Sequence, residues 1–462
     1  MSSGGRVQLA AVGAQDVFLT SNPQMSYFLK NYSRHSRFAM QTMEVPFDQS
    51  AVFGKKARAT LPRIGDLVRE IYLKIELPEL DQGIIKTLDS VTSTNVNVNT
   101  YPGYCDSVGH AVVKQATMKI GGQTIETING DYLDIYEEMF VPVSQDIAIR
   151  ELVGRTYTRT GLGPASNVVY RTEQGFSATG SFPRTFIVPL RFYFTQDPNL
   201  AVPLCAITRQ EMSIHISFED IEKLIVNKQV SNSSDNILQY ITSTLQLGGR
   251  PVAITQATLL VDYIFMDDAQ VKFFQSNSLD YLSTQIQGTS VTARSDENFT
   301  RMPKQIRSHF NNPVKEIYMI VQSDKFRPPV INDINTTETD YFRYTSTISA
   351  TPDNLTKMEL LFNGNPRILE NVADSFYLRA VQPLQAHTRT PTRYIYNYSF
   401  SIDPENYQPT GQVNMSRIAN TMFNMYLSEA SDYNRTIKIY VKSYNVLRVE
   451  TGLTGLLFNF NG

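Results

Sequence analysis

Cysteine is scarce: Cys105 and Cys205 are the only two in 462 residues, with no CxxC spacing. That excludes a disulfide framework or a thiolate metal site and suits a reducing compartment. The five histidines, His35, His110, His215, His309 and His387, stand singly, with no HxH and no HExxH. A His-based metal centre of the kind a two-domain cupin enzyme carries is therefore not expected. His215, inside the alternating MSIHISF, reads as a strand histidine with a satisfied hydrogen bond. No apolar run approaches the roughly 18 residues of a membrane span. The opening MSSGGRVQLAAVGAQDV lacks the charged start and apolar core of a signal peptide. The expectation is a chain made in the cytosol. A basic excess is missing too: the net charge of −2 argues against a protein that coats phosphate backbones.

Catalytic signatures fail one by one. Gly54-Lys55 has Gln49 where a P-loop needs its first glycine. Gly175-Phe-Ser-Ala-Thr-Gly180 places its second glycine one position late for a nucleophile elbow. Glu137 and Glu138 are neighbours on an expected helix, point in different directions, and read as solvated or ion-paired. Lys55-Lys56-x-Arg58 reads as a solvated turn. The triplets at Asn232 and Asn335 are expected by chance in an Asn- and Thr-rich chain. No recognition helix, zinc spacing or RNP-type aromatic run is present, so sequence-specific nucleic-acid binding is not expected. Nothing assembles an acid, a base and a nucleophile; no enzyme activity and no cofactor are expected.

What the chain has is strand. FAMQTMEVPF (38–47), VREIYLKIELP (68–78), FIVPLRFYFT (186–195), MSIHISF (212–218), ATLLVDYIFM (257–266), VKEIYMIVQ (314–322), YIYNYSFSI (394–402) and TIKIYVKSYNVLRV (436–449) are short and rich in Val, Ile, Tyr and Phe. Gly, Pro, Asn or Asp bound them. Helices are predicted over 131–140 and 267–275. The class is all-β, built as sandwiches or barrels. Polar stretches at 90–103, 154–182, 226–250 and 328–356 read as long loops. The third is the best domain boundary, giving an N-terminal arm over 1–37, a first β-domain over 38–240 and a second over 241–462.

The two halves repeat. VREIYL from Val68 answers to VKEIYM from Val314, and IGGQTIE near Gly122 to FNGNPRILE near Gly364. Phe194-Thr-Gln-Asp197-Pro198, with Pro203, answers to Phe400-Ser-Ile-Asp403-Pro404, with Pro409. The alternating segment at Ile214 is matched with that at Ile439. Order is kept and the slips fall in loops, which points to two similar β-domains in tandem.

Ahead of them lies TSNPQMSYFLKNYSRHSRF (20–38). Asn22 suits a helix N-cap and Pro23 the first helical position. Phe28 and Tyr32 would then share a face, while Lys30, Arg34, His35 and Arg37 gather at the C-terminal end, where cations are favoured.

These stretches together resemble the double-jelly-roll major capsid proteins of nucleocytoplasmic large DNA viruses. The wording that carries the resemblance is GAQDVFLTSNPQMSYFLKNYSRHSRFAMQ (13–41), PRIGDLVREIYLKIELP (62–78), IGGQTIETINGDYLDIYEE (120–138) and FTQDPNLAVPLCAI (194–207). It continues with VDYIFMDDAQVKFF (261–274), LFNGNPRILE (361–370), VQPLQAHTRTP (381–391), YSFSIDPENYQPTGQVNMSRI (398–418) and YNVLRVETGLTGLLF (444–458). The resemblance implies two eight-stranded jelly rolls side by side and a homotrimer forming a capsomer of pseudo-hexagonal outline. It implies neighbouring capsomers, minor capsid and penton proteins and an inner membrane as partners, in a virion assembled in the host cytoplasm. In the family the N-terminal segment lies at the inner base of the capsomer. Phe28, Leu29 and Tyr32 are then expected against the first jelly roll, with Lys30, Arg34 and Arg37 toward inner proteins or an anionic membrane. The long loops are expected to point outward. A carbohydrate-binding jelly-roll protein is the alternative, since lectins share the fold.

Overall fold

The computed structural model describes residues 3–30, 32–78, 100–155, 157–159, 168–170, 184–229, 237–240, 246–247, 250–251, 253–327, 341–346, 353–369, 371–428 and 433–458. Most of the long polar stretches, the Gly175–Gly180 segment, Asn232 and Asn335 lie outside these residues. Two units are distinguished, Met1–Phe38 and Ala39–Gly462.

The first unit holds two short helices, α1 (Gly4–Ala10) and α2 (Ala14–Thr20), neither with a buried residue. The helix expected from Asn22 onward is not there. Asn22 has φ 53°, in the left-handed region, and Pro23 follows it. A residue before proline is driven out of the α basin, so the pair ends α2 rather than starting a new helix. Residues 21–30 and 32–37 hold no helix, only bends, a turn and irregular chain, with an isolated bridge between Ser26 and Leu29.

Strands of the second unit are numbered along the chain. The first half contains β1 (Phe38–Pro46), β2 (Lys56–Thr60), β3 (Leu67–Leu77), β4 (Val113–Ile120), β5 (Gln123–Ile128), β6 (Arg184–Pro189), β7 (Val202–Pro203), β8 (Met212–Phe218) and β9 (Gln256–Met266). One sheet runs β1-β9-β3-β7, with β6 also on β3; the other runs β2-β8-β4-β5. The second half contains β10 (Leu279–Ala293), β11 (Lys304–Ser308), β12 (Pro313–Ser323), β13 (Leu355–Phe362), β14 (Asn365–Ile368), β15 (Tyr396–Ser399), β16 (Val413–Asn414), β17 (Thr421–Leu427), β18 (Arg435–Glu450) and β19 (Leu453–Leu456). Its sheets run β10-β18-β12-β15, with β16 on β12 and β19 on β18, and β11-β17-β13-β14. Each half is thus a sandwich of antiparallel sheets. β9 lies beyond residue 240, yet it is hydrogen-bonded to β3 along Gln256–Ile264 and belongs to the first sandwich.

The repeat is visible atom by atom. β7 pairs with the start of β3 through Val202 and Val68, and β16 with the start of β12 through Val413 and Val314. β3 carries a bulge at Arg69, skipped between Asp262↔Glu70 and Tyr263↔Val68; β12 carries one at Lys315, skipped between Val314↔Ser443 and Glu316↔Lys442. The β4–β5 hairpin turns on Gly121-Gly122 (φ 58° and 86°) and the β13–β14 hairpin on Asn363-Gly364 (φ 51° and 84°). Two consecutive positive φ values make the tight turn whose twist suits a hairpin. The expected match of Ile214 with Ile439 needs correction: β8, which holds Ile214, occupies the place of β17 in the second sandwich, whereas β18, which holds Ile439, occupies that of β9. Alternating strands look alike in composition, and partner order alone tells them apart.

Helices α3 (Val108–Val112), α4 (Gly130–Phe140), α5 (Asp146–Val153) and α6 (Asp268–Ser276) complete the frame. Asn129 caps α4 by accepting a hydrogen bond from the Tyr132 N–H at 2.9 Å. One apolar core fills the first sandwich and runs on into the second half through Tyr318, Ile320, Tyr344, Ile395 and Tyr440. A second core, with Ile317, Met319, Met358, Phe423 and Ile439, fills the second sandwich.

Candidate functional site at the seam between the two sandwiches

α4 lies where the halves meet. Asp131, Asp134 and Glu138 recur at three and four residues, so they share one helix face. All are buried, with Glu138 wholly so. Ionised carboxylates survive burial only with partners, and most of these come from the second half. Asp131 takes Arg327 at 2.8 Å and Lys438 at 2.6 Å. Burial works against its charge, but Lys438 and Arg327 outweigh it and hold the carboxyl well below its usual range. Asp134 receives Arg393 at 3.1 Å and the Tyr344 hydroxyl at 3.3 Å. There burial prevails over Arg393, and the Asp134 carboxyl is pushed up to about 6. Glu138 pairs with Arg155 of its own half and accepts from the Thr392 N–H at 2.6 Å and hydroxyl at 2.8 Å. Burial again opposes its charge, and the arginines, Arg155 foremost, hold Glu138 below the usual range.

Arg393 is the centre of this seam. It reaches Asp106 at 2.7 Å, the Ser107 hydroxyl at 3.0 Å and the Phe342 carbonyl at 3.3 Å besides Asp134. Arg389 bonds Asp146 of α5 at 2.9 Å. Gln285 of β10 donates to the Ile125 carbonyl at 2.5 Å, and Asn129 to the Tyr440 hydroxyl at 3.1 Å. Acid comes mainly from the first half and base from the second.

A buried histidine sits next to it. His387, its side chain fully enclosed, touches Glu316 at 2.7 Å and Glu405 at 3.2 Å, with the Phe140 ring edge-on at 5.0 Å. Burial disfavours the imidazolium, but Glu316 and Glu405 more than offset it and raise His387 to about 9.

Of the residues singled out in the sequence, Glu137 and Glu138 are buried, and Glu138 is ion-paired rather than solvated. His215 meets the Ser213 hydroxyl at 3.1 Å. Phe28, Leu29, Tyr32, Lys30, Arg34 and Arg37 all lie in the first unit and are exposed. Arg327, Arg389, Arg393 and Lys438 carried no sequence signal of their own. The acids did: carboxylates at 131, 134 and 138 on one face of a helix that also carries Tyr132, Leu133, Ile135 and Phe140 call for buried cations. Among the described residues no group of His, Cys, Asp or Glu is arranged to hold a metal. No helix among them is long and apolar enough to cross a membrane.

A sequence profile described as "Major capsid protein N-terminus" matches residues 26–267, and one described as "Large eukaryotic DNA virus major capsid protein" matches 271–455. The chain belongs to the major capsid protein family of large eukaryotic DNA viruses. Relatives within the family include the major capsid proteins of Phaeocystis pouchetii virus, 29% identical over 99% of this chain and 100% of the relative, and of Pyramimonas orientalis virus, 29% identical over 99% of both. That of Paramecium bursaria Chlorella virus 1 is 26% identical, again over 99% of both. The fold is shared with a PBCV-1 capsid structure, at a TM-score of 0.71 and 21% identity over 94% of this chain and 100% of that one. The Faustovirus major capsid protein superposes at 0.71 and 12%, over 95% and 94%. This family member is therefore an all-β double jelly roll, a viral structural protein and virion component rather than an enzyme.

Proposed function

We propose that the protein trimerises into capsomers of pseudo-hexagonal outline that tile an icosahedral shell around an inner membrane. The observation that carries this is the repeat itself. The bulge, the start-of-strand pairing and the tight hairpin recur in both sandwiches, so three chains arranged in a ring present six similar flanks. The acid-to-base seam supports the reading, because a tile needs its two halves held in one relation.

Neighbouring capsomers, minor capsid and penton proteins, and the inner membrane are the partners in this reading, with assembly in the host cytoplasm. The first unit acts as a docking arm. Its exposed Phe28, Leu29 and Tyr32 supply apolar contact with the first jelly roll, and Lys30, Arg34 and Arg37 face inner proteins or anionic lipid. The arm covers 1–37, and the jelly rolls meet between the end of β9 and the start of β10. Light scattering after size exclusion is expected to give about 157 kDa, three times the 52.3 kDa chain, and micrographs six-sided particles. A stable monomer overturns the reading.

A further inference from the structure

The first copy of the repeated Phe-x-x-Asp-Pro segment and the residues directly after the second come together at one cavity. It measures about 90 Å³ and is lined by Gln196 and Asp197 of the first copy and by Glu405 to Tyr407, which directly follow the second. Thr284, Lys315, Lys442 and Tyr444 complete its polar lining, with Tyr136, Phe140, Leu200 and Leu282 as apolar wall. Polar cavities of this size are occupied, whereas cavities that stay empty are apolar.

The lining is rich in donors. Lys442, 2% exposed, donates one hydrogen bond, to the Gln196 side-chain carbonyl at 2.9 Å. Lys315, 4% exposed, donates one, to the Pro404 carbonyl at 2.8 Å. The Tyr444 hydroxyl, on a residue 6% exposed, has no hydrogen-bond partner among the described residues. The carboxylates nearby make their hydrogen bonds to other groups, although Glu316 and Glu405 still act on Lys442 through space. Glu405 accepts from His387, the Thr388 N–H and the Thr388 hydroxyl, and Asp197 from the Asn199 backbone and side chain. Glu316 is held by His387 and the Tyr318 hydroxyl.

Two buried ammonium groups beside one cavity also repel each other. After burial, the charge of Lys315 is the largest influence depressing Lys442, which falls to about 7 despite the opposing charges of Glu316, Glu126 and Glu405. Water satisfies donors but leaves that repulsion standing; a negative ion removes it.

We propose that this cavity is a binding site for a small inorganic anion of chloride size, held by Lys442, Lys315 and the Tyr444 hydroxyl. An ion there is held by strands of the second jelly roll and, through Lys442, is linked to Gln196 of the first, whose side-chain carbonyl accepts from that lysine, so it ties the two together across the seam.

The test uses the full chain. Crystals soaked in sodium bromide are expected to show an anomalous peak between Lys442 Nζ and Tyr444. Replacing sodium gluconate by sodium chloride at equal ionic strength is expected to raise the melting temperature by about 1–3 °C, the shift for one site at ten times its dissociation constant. Lys442→Met is expected to abolish that shift. Tyr444→Phe, which keeps the ring and removes the donor, is expected to reduce it, and serves alone if Lys442→Met does not fold. A cavity without bromide, or an equal chloride effect in wild type and Tyr444→Phe, overturns the proposal.

Discussion

Arg393 holds Asp106 and Asp134 of one jelly roll from its place in the other, and all three are buried. Removing one member of such a cluster leaves the rest charged in a dry setting. Arg393→Met is therefore expected to cost about 3–5 kcal/mol, measured as a fall in the urea midpoint. Adding Asp106→Asn and Asp134→Asn is expected to return most of the loss, since the uncompensated charges are then gone; no recovery contradicts the ionic account. His387 gives a pH signature. Its folded pKa of about 9 lies above the ordinary 6.5, so its contribution is fully present below pH 6.5 and is lost as the pH rises through 9. The gap in melting temperature between wild type and His387→Asn, which lacks the titrating group, is expected to narrow as the pH is taken from 6 to 10, whatever the other buried groups contribute. These contacts were half legible. The acids of α4 could be read from spacing, but their second-half partners Arg327, Arg393 and Lys438 lie roughly 190 to 310 residues away in sequence, a distance that local patterning does not encode.

At the scale of the element, the turns carry the clearest sequence information. Gly364 has φ 84°, and a Cβ there would meet nothing within 4 Å. Gly364→Ala is therefore expected to cost about 1–2 kcal/mol from backbone strain alone, seen in chemical unfolding, while Gly364→Asn loses less. A neutral alanine would show that the turn relaxes. Strands rich in Val, Ile and Tyr, such as β3, β9, β12 and β18, were readable because both faces are largely covered. β10 was not: its polar positions follow no two-residue rhythm in sequence, with Ser283 and Gln285 buried, Thr284, Gln287 and Thr289 partly covered and Ser290 and Thr292 exposed, and only pairing with β18 over its whole length makes it a strand. The reading of 186–195 and 394–402 as continuous strands ran past the actual ends at Pro189 and Ser399, where the chain leaves the sheet.

For the whole molecule, the first unit and the jelly rolls pose separate questions. α1 and α2 bury nothing, and Phe18, Leu19, Tyr27 and Phe28 are each at least 88% exposed. Apolar side chains in such number need a partner. Deleting residues 2–24 is expected to leave trimer yield unchanged and to lower shell yield, with both measured on one preparation; unaffected shell assembly contradicts the docking arm. Tandem jelly rolls were legible because three of the four internal matches hold in space. The helical arm was misread because Asn22-Pro23 serves as a stop as readily as a start. The division of charge across the seam reaches further than stability. α4 offers Asp131, Asp134 and Glu138, and the facing half offers Arg327, Arg393 and Lys438. Two leading halves from different polypeptides would meet negative to negative, and two trailing halves positive to positive. Pairing between like halves is thus penalised electrostatically, and pairing between unlike halves is favoured.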